Sequence, residues 1–399
     1  MVRRHRNKIR CIKDREGNWL TDKIEIKDHI QDGFKKLCRT ELEVIPIDSN
    51  VSRFSCCFLE EEDRTRIDGE VTDGEIQTRL WAFKPSKAPR SDALHASFYQ
   101  HFWMEVKELV YKEVKGIFHK GCMLKFLNET LISLIPKCQN PESLSNYRPI
   151  SLCNSVYKVV SKILMARIRP LLGKLISPVQ TAFVLGRRGT DNVMIAQELF
   201  HALDKKKGKT GFMAIKLDLE KAYDRLEWSF IYRVLQAFHF PQKIFKLIMS
   251  CVTSTSTSIL FNGGALESFE PSRGIRQGDS LSPYLFILCM ENLGHLIKQK
   301  CVNGSWTPLK ASKDNLGFSH LLFVDDIILF SKADVSGCEV ISEVLEKFCR
   351  ESGQKISHDK SRIYFSSNVN EESKEETSGR LDISETNNIG KYLGFPFKH

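Results

Sequence analysis

Along much of the chain apolar residues recur at helical spacing, and in a few places they close up into short unbroken runs. Thr72-Asp73-Gly74-Glu75 has the form of a capping box, and Ile76, Leu80 and Phe83 follow on one helical face. Lys84-Pro85-Ser86-Lys87-Ala88-Pro89-Arg90 then breaks the helix with prolines and presents cations, so a basic loop is expected. Phe98, Phe102, Val106 and Val110 predict a second helix. Leu131 to Ile135 reads as a short strand ended by Pro136, before a polar, turn-rich stretch over 138–149. Val156 to Leu172 predicts an amphipathic helix carrying Lys158, Lys162, Arg167 and Arg169, and another helix begins near Asp191.

Lys205, Lys206, Lys207 and Lys209 make a basic tip beside Gly208, and Phe212 to Asp218 has the character of a buried strand. An amphipathic helix is expected from Glu220. Ser258–Phe261 and Glu267–Glu270 flank Asn262-Gly263-Gly264, a hairpin signal. Ser282-Pro283 opens a helix, with proline in the first turn where its missing N–H costs nothing. His320–Phe323 and Ile327–Ser331 are apolar strands separated only by Val324-Asp325-Asp326, the pattern of a tight hairpin. A helix from about Glu339 to Arg350 ends before Gly353, and 368–388 is polar and acidic. Residues 1–70 show no strong period, and no internal repeat is visible. Helices mixed with antiparallel hairpins argue for an α+β fold.

The formal net charge of +10 favours polyanionic partners, although basic composition alone does not single out nucleic acid. The 12 cysteines are scattered without a CxxC pair, so no structural zinc and no disulfide-linked partner are expected. They read as small buried hydrophobes in a reducing, intracellular compartment. No apolar run approaches the ~20 residues of a membrane helix, so no membrane partner is expected. Arg3, Arg4, Arg6, Lys8, Arg10 and Lys13 lack the apolar core of a secretory signal. They fit a nuclear-targeting or RNA-contacting arm, or equally a solvated basic helix end, and so leave nucleus and cytoplasm both open.

Asp218 closes the apolar run Ile215-Lys216-Leu217. A carboxylate there is expensive to bury without a partner, but taken alone it is better read as a cap on the next helix. Asp325-Asp326 places two carboxylates at the tip of an apolar hairpin, where cations would relieve their repulsion. Burial demanded by Leu321, Leu322, Phe323, Ile327, Ile328 and Leu329 favours metal binding over an ordinary solvated turn. Nucleotidyl transfer needs two divalent cations about 3.5–4 Å apart, and carboxylates suit Mg2+. Two strands meeting edge to edge would gather Asp218 and Asp325. In Arg273-Gly274-Ile275-Arg276-Gln277-Gly278-Asp279, Gly278 allows close approach, Gln277 can bond a base or sugar, and the arginines can meet phosphate. A glycine turn before a helix fits that stretch as well.

Taken in order, Lys216-Leu217-Asp218-Leu219-Glu220-Lys221-Ala222-Tyr223-Asp224, Arg276-Gln277-Gly278-Asp279-Ser280-Leu281-Ser282-Pro283 and Phe323-Val324-Asp325-Asp326 resemble motifs A, B and C of reverse transcriptases, in the wording of LINE-type (non-LTR) retrotransposons, plant ones especially. Leu134-Ile135-Pro136-Lys137, Asn146-Tyr147-Arg148-Pro149-Ile150-Ser151-Leu152 and Gln180-Thr181-Ala182-Phe183-Val184, with Gly186-Arg187 and Asp191-Asn192, resemble the family's upstream motifs. Ser352-Gly353-Gln354 with Lys360-Ser361 is similar to motif D, and Tyr392-Leu393-Gly394-Phe395-Pro396 to the primer-grip motif E.

The resemblance implies a right-hand polymerase fold, with an N-terminal extension over 1–71, fingers over 72–210 and palm over 211–399. It implies an RNA-directed DNA polymerase that takes an RNA template, a DNA primer and dNTPs. Asp218 and Asp325 would be metal ligands with Asp326 in support, for two Mg2+ ions, with Mn2+ able to substitute. Lys137 and Arg148 would hold the triphosphate, Tyr223 would be the steric gate against a ribose 2′-OH, and Gln277 and Gly278 would contact nucleotide and template. Lys360 would be the general acid, and Tyr392, Leu393 and Gly394 the primer grip. Arg90 and Ala93 stand where the family usually has glycine, Val324 where alanine is usual, and Ser357 where asparagine is common. The chain stops at His399, so a missing thumb, endonuclease and RNase H, as in a fragment or decayed copy, are expectations too. The competing readings are a catalytically inactive nucleic-acid-binding relic and a maturase-like RNA-binding protein.

Overall fold

The structure is a computed structural model that describes residues 8–42, 57–84, 94–312 and 316–396. Arg3, Arg4, Arg6, most of the basic loop at 84–90 and Ala93 lie outside the described residues.

Eight strands among the described residues build two four-stranded sheets: β1 (Glu129–Pro136), β2 (Tyr147–Cys153), β3 (Phe212–Leu217), β4 (Ser256–Phe261), β5 (Gly264–Ala265), β6 (His320–Phe323), β7 (Asp326–Lys332) and β8 (Arg362–Phe365). One sheet runs β2-β1-β4-β5, with β1 and β4 parallel. The other runs β6-β7-β3-β8 and is antiparallel throughout. Because β1 pairs with β4, the first sheet draws on residues from both sides of position 211.

β3 lies inside its sheet and is covered on both faces, which explains its unbroken apolar run. Met213, Ile215 and Leu217 join the main core with Ile327, Leu329 and Phe286. Phe212 and Ala214 face a second cluster with Phe200, Phe330 and Tyr392. A third core packs Ile26, Ile30 and Phe34 against Ile132, Leu134 and Ile259 of the first sheet.

Several sequence expectations need correction. The N-terminal region, read as aperiodic, contains a helix over Lys23–Leu37, capped by Asp22 and buried along one narrow stripe. The single helix expected through Phe98 to Val110 is broken at Phe102, giving Ala96–His101 and Trp103–Lys120. The break buries Trp103 and leaves Phe102 exposed. The helix from Val156 ends at Ile168 because Pro170 cannot continue it. The helix expected from Glu220 shrinks to Ala222–Arg225 and Trp228–Ala237. Its backbone is used elsewhere: Glu220 N–H donates to the Lys355 carbonyl (2.8 Å) and Glu227 N–H to the Ser352 carbonyl (2.9 Å). Asn262 and Gly263 both take positive φ, the two-residue hairpin turn, so the return strand starts at Gly264 rather than Glu267. β2 begins inside the stretch read as turn-rich, and it is an edge strand, where Pro149 is tolerated.

Cys153, Cys251, Cys289 and Cys338 are buried free thiols, but Cys11, Cys57, Cys122 and Cys138 are exposed, so burial is not general. No helix of the described residues is long and apolar enough to cross a membrane.

Candidate active site

β3 and β7 are neighbours, with Leu217 opposite Ile327, and that register carries Asp218, Asp325 and Asp326 to one end of the sheet. Asp218 is fixed through its backbone. Its N–H donates to Ser361 Oγ (3.2 Å) and its carbonyl accepts from Ser357 N–H (2.9 Å). Lys360 Nζ lies 3.7 Å from Asp218 Oδ1. Burial first, and then the charge of Asp218, push Asp325 above the usual carboxylate range, against its own backbone N–H and Arg148. Asp326 is also raised, by burial and by Asp325 and Asp218, with Lys216 opposing.

The hairpin tip has only two residues, since Phe323 pairs with Asp326. Val324 takes φ +57°, unusual for a β-branched side chain. The loop 177–182 and the helix Gly189–Asp204 hold this tip from behind. Thr181 N–H donates to the Leu322 carbonyl (3.3 Å), which also accepts from Asn192 Nδ2 (2.8 Å). Gln180 Oε1 accepts from Val324 N–H (3.3 Å).

Near the carboxylates stand cations. Partial burial and then Lys221, Lys360 and Arg148 hold Lys137 below the usual lysine range, with Asp224 opposing. Lys137 Nζ donates to the Ser145 carbonyl (2.8 Å). Four cations this close together would suit a polyanion. Lys221, which was not singled out in the sequence, belongs to this set; its position inside the motif A stretch is the only signal that could have found it.

Tyr223 stacks on Phe286 with ring centroids 4.8 Å apart and planes 10° from parallel. Its hydroxyl is raised by burial and by Asp325, so the ring lies at the carboxylate end. Gln277 does not reach freely into the site: its Nε2 donates to Asp224 Oδ2 (3.0 Å). Gly278 is exposed at φ +94°, against Ile150 and Ser151. The reading of the motif B arginines as phosphate contacts is overturned. Arg273 is 3% exposed and pairs with Glu227 (3.6 Å), and Arg276 packs over the Tyr157 ring (4.2 Å) and donates to Asn128 Oδ1 (2.5 Å). Both brace the loop from inside.

In the Lys391–Tyr392 and Phe395–Pro396 hairpin, Leu393 and Gly394 form the tip, both at positive φ. Tyr392 is buried beside Asn192 and Asp326 and anchors this hairpin to the carboxylate end.

The aspartates are hard oxygen donors, suited to Mg2+. The raised proton affinity of Asp325 and Asp326, and the repulsion among the carboxylates, are what a cation would relieve. Among the described residues, however, no three His, Cys, Asp or Glu side chains form a ready-made cage. Mg2+ commonly binds through one or two carboxylates plus substrate phosphates, and the adjoining cations would bring those phosphates here.

Glu291, behind the site, accepts from the Ser177 N–H and hydroxyl (3.1 Å each) and is pushed up to about 7, chiefly by burial. Asp224 is pushed up to about 6, again by burial first. Acids whose folded-state value is raised stabilise the fold fully at low pH, and that contribution is lost as pH climbs from the unfolded to the folded value. Stability should therefore fall between about pH 4.5 and 7. Glu291→Gln should flatten that slope and gain on the order of 2 kcal/mol at pH 8. Urea denaturation at pH 5 and pH 8 checks this, and an unchanged slope in the variant would exclude Glu291 as its source.

The sequence pattern of the family described as reverse transcriptase (RNA-dependent DNA polymerase) matches residues 135–397, about two thirds of the chain. The chain is 25% identical over 390 residues to the transposon TX1 uncharacterized 149 kDa protein of Xenopus laevis, covering 98% of this chain and 29% of that protein. It is 28% identical over 226 residues to the retrovirus-related Pol polyprotein from the type-2 retrotransposable element R2DM of Drosophila melanogaster, covering 57% and 20%. An uncharacterized mitochondrial protein of Arabidopsis thaliana matches at 45% over 67 residues, 17% of this chain and 55% of that one. The chain thus spans less than a third of the length of the first two relatives.

Proposed function

Since the chain belongs to the reverse transcriptase (RNA-dependent DNA polymerase) family, we propose that it is the polymerase core of a non-LTR retrotransposon and adds dNTPs to a DNA primer on an RNA template. The observation that carries this reading is the meeting of Asp218, Asp325 and Asp326 at one sheet end, with Lys137, Arg148, Lys221 and Lys360 nearby. The plant-like wording of its motifs is in keeping with the short match to the Arabidopsis protein.

Asp218 and Asp325 would hold two Mg2+ ions, with Asp326 in support. Bound there, divalent cations activate a primer hydroxyl and neutralise a triphosphate. The chain's own residues do the rest. Lys137, Arg148 and Lys221 draw the triphosphate to the end of the sheet. Lys360, beside Asp218, is positioned to give a proton to departing pyrophosphate. Tyr223, stiffened by its stack on Phe286, fills the space that a 2′-hydroxyl would need. Leu393 and Gly394 present a hairpin tip to the primer.

The test is primer extension on an RNA template with Mg2+, comparing dNTPs with rNTPs. Native protein should extend with dNTPs. Tyr223→Ala should relax discrimination against rNTPs by about 10- to 100-fold, while Tyr223→Phe, which keeps the ring, should not. Unchanged discrimination in Tyr223→Ala would make Tyr223 a core aromatic only. A folded native chain that binds template–primer but never extends it would favour the nucleic-acid-binding relic.

A further inference from the structure

The hairpin that carries Asp325 has an unfavourable sequence for its own shape. Among the non-glycine residues with positive φ are Val324 but not Asp325. A two-residue hairpin turn with positive φ at its first position normally has glycine there. Val324 is β-branched and resists that backbone more than most residues. Something outside the hairpin must hold it.

Gln180 is the group in place to do so. It is fully buried at 0% exposure, and its Oε1 accepts from both Ala182 N–H (3.0 Å) and Val324 N–H (3.3 Å). Two converging N–H donors identify that atom as the oxygen, so the amide cannot be flipped. Its Nε2 is buried without a protein acceptor. A buried amide with one end lacking a protein partner carries a cost that the bonds at its other end offset. The backbone around it docks on the same hairpin, since Leu322 N–H donates to the Val179 carbonyl (3.0 Å). Arg187 fastens this loop in turn by donating to the Ser177 and Gln180 carbonyls (2.5 and 2.8 Å).

We infer that Gln180 is a positioning residue for the Asp325 hairpin: its buried carbonyl oxygen holds Val324 at positive φ and so sets where the Asp325 carboxylate points. This rests on the reading of Asp325 as a metal ligand. Gln180 touches neither metal nor substrate on this account. It acts through one backbone hydrogen bond on the residue before the ligand.

The experiment is a double-mutant cycle between Gln180→Leu and Val324→Gly in the full chain. One readout is amide hydrogen exchange over residues 321–327, and the other is binding of Mn2+ alone by paramagnetic resonance. Gln180→Leu should lose protection across the hairpin and weaken Mn2+ binding about tenfold. In the Val324→Gly background, where glycine takes positive φ without help, the same change should alter Mn2+ affinity less than about threefold. Equal losses in both backgrounds would show that the two residues act independently and would overturn the proposal. So would unchanged exchange in Gln180→Leu. Should that variant fail to fold, Val324→Gly alone decides: it should raise the melting temperature, and a lowered one would mean that Val324 is not held under strain. An Asp325→Asn control separates the two levels. If it leaves Mn2+ binding unchanged, the metal-ligand reading fails, while hairpin exchange in Gln180→Leu still tests the positioning.

Discussion

Asp325→Asn should lower primer extension about 10³-fold and, in the same protein, raise the melting temperature measured without divalent cations. The first effect follows from removing what is proposed to be a metal ligand. Metal stabilisation of a phosphoryl transition state supplies several kcal/mol, and each 1.36 kcal/mol is a factor of ten in rate. The second follows from the electrostatics of the site. Burial and the charge of Asp218 both disfavour ionised Asp325, so at neutral pH the carboxylate is a cost that the fold carries. Asparagine is nearly the same size and removes that cost, so the melting temperature should rise slightly, Asp325 being exposed enough for solvent to screen much of it. Adding Mg2+ should stabilise the native chain and leave the variant nearly unmoved, because ligands stabilise only the state that binds them. Scanning calorimetry with and without Mg2+, run beside extension assays, checks all three. Lost activity with a lowered melting temperature would mark Asp325 as a structural turn residue.

Arg273→Met should cost about 3–5 kcal/mol of stability, because it strands Glu227 in the interior. Glu227 and Arg273 side chains are 4% and 2% exposed and lie 3.6 Å apart. Arg273 also donates from Nε to the Leu37 carbonyl (2.9 Å), which ties the motif B loop to the N-terminal helix. The loss should be recovered in large part by Arg273→Met with Glu227→Met, since replacing both partners of a buried pair by apolar groups is often neutral. Urea denaturation of the native chain, both single variants and the double variant gives the coupling directly. Template–primer affinity offers an independent check. A phosphate contact would reduce the salt slope by about one when removed, whereas a brace should leave it unchanged. A changed slope with little loss of stability would return Arg273 to the substrate.

The difference between Asp325 and Arg273 shows which features were legible along the chain. Asp325-Asp326 could be read because its apolar flanks demand burial while its tip carries charge, a local contradiction that a cation resolves. Asp218 was ambiguous alone, as a cap or a ligand. Its pairing with the hairpin came from the β3–β7 register, with Leu217 opposite Ile327. Arg273 and Arg276 can be read along the chain as phosphate contacts or as part of a glycine turn before a helix, and nothing local decides between them. Only the positions of Glu227, Tyr157 and Asn128 show that both point inward. The hold of Asp224 on the Gln277 amide was likewise invisible along the chain. The helix expected from Glu220 failed because local periodicity does not register hydrogen bonds to Ser352 and Lys355, far along the chain.

The sequence by itself determined the buried strand β3, the apolar hairpin of β6 and β7, the helix opened by Ser282-Pro283, the αL stop at Gly353 and the order of the motifs. Each of these rests on a short-range cause: alternation or continuity of apolar residues, proline in a first turn, glycine at positive φ. Tertiary structure alone decided that β1 pairs with β4 across more than a hundred residues, and that Lys221 and Lys360 reach the cation cluster of Lys137. It also decided that Gln180 and Asn192 grip the hairpin from behind. Those outcomes depend on which buried polar groups find partners once distant segments are packed together. A buried N–H or carbonyl must be satisfied, but the residue that satisfies it can come from anywhere in the chain.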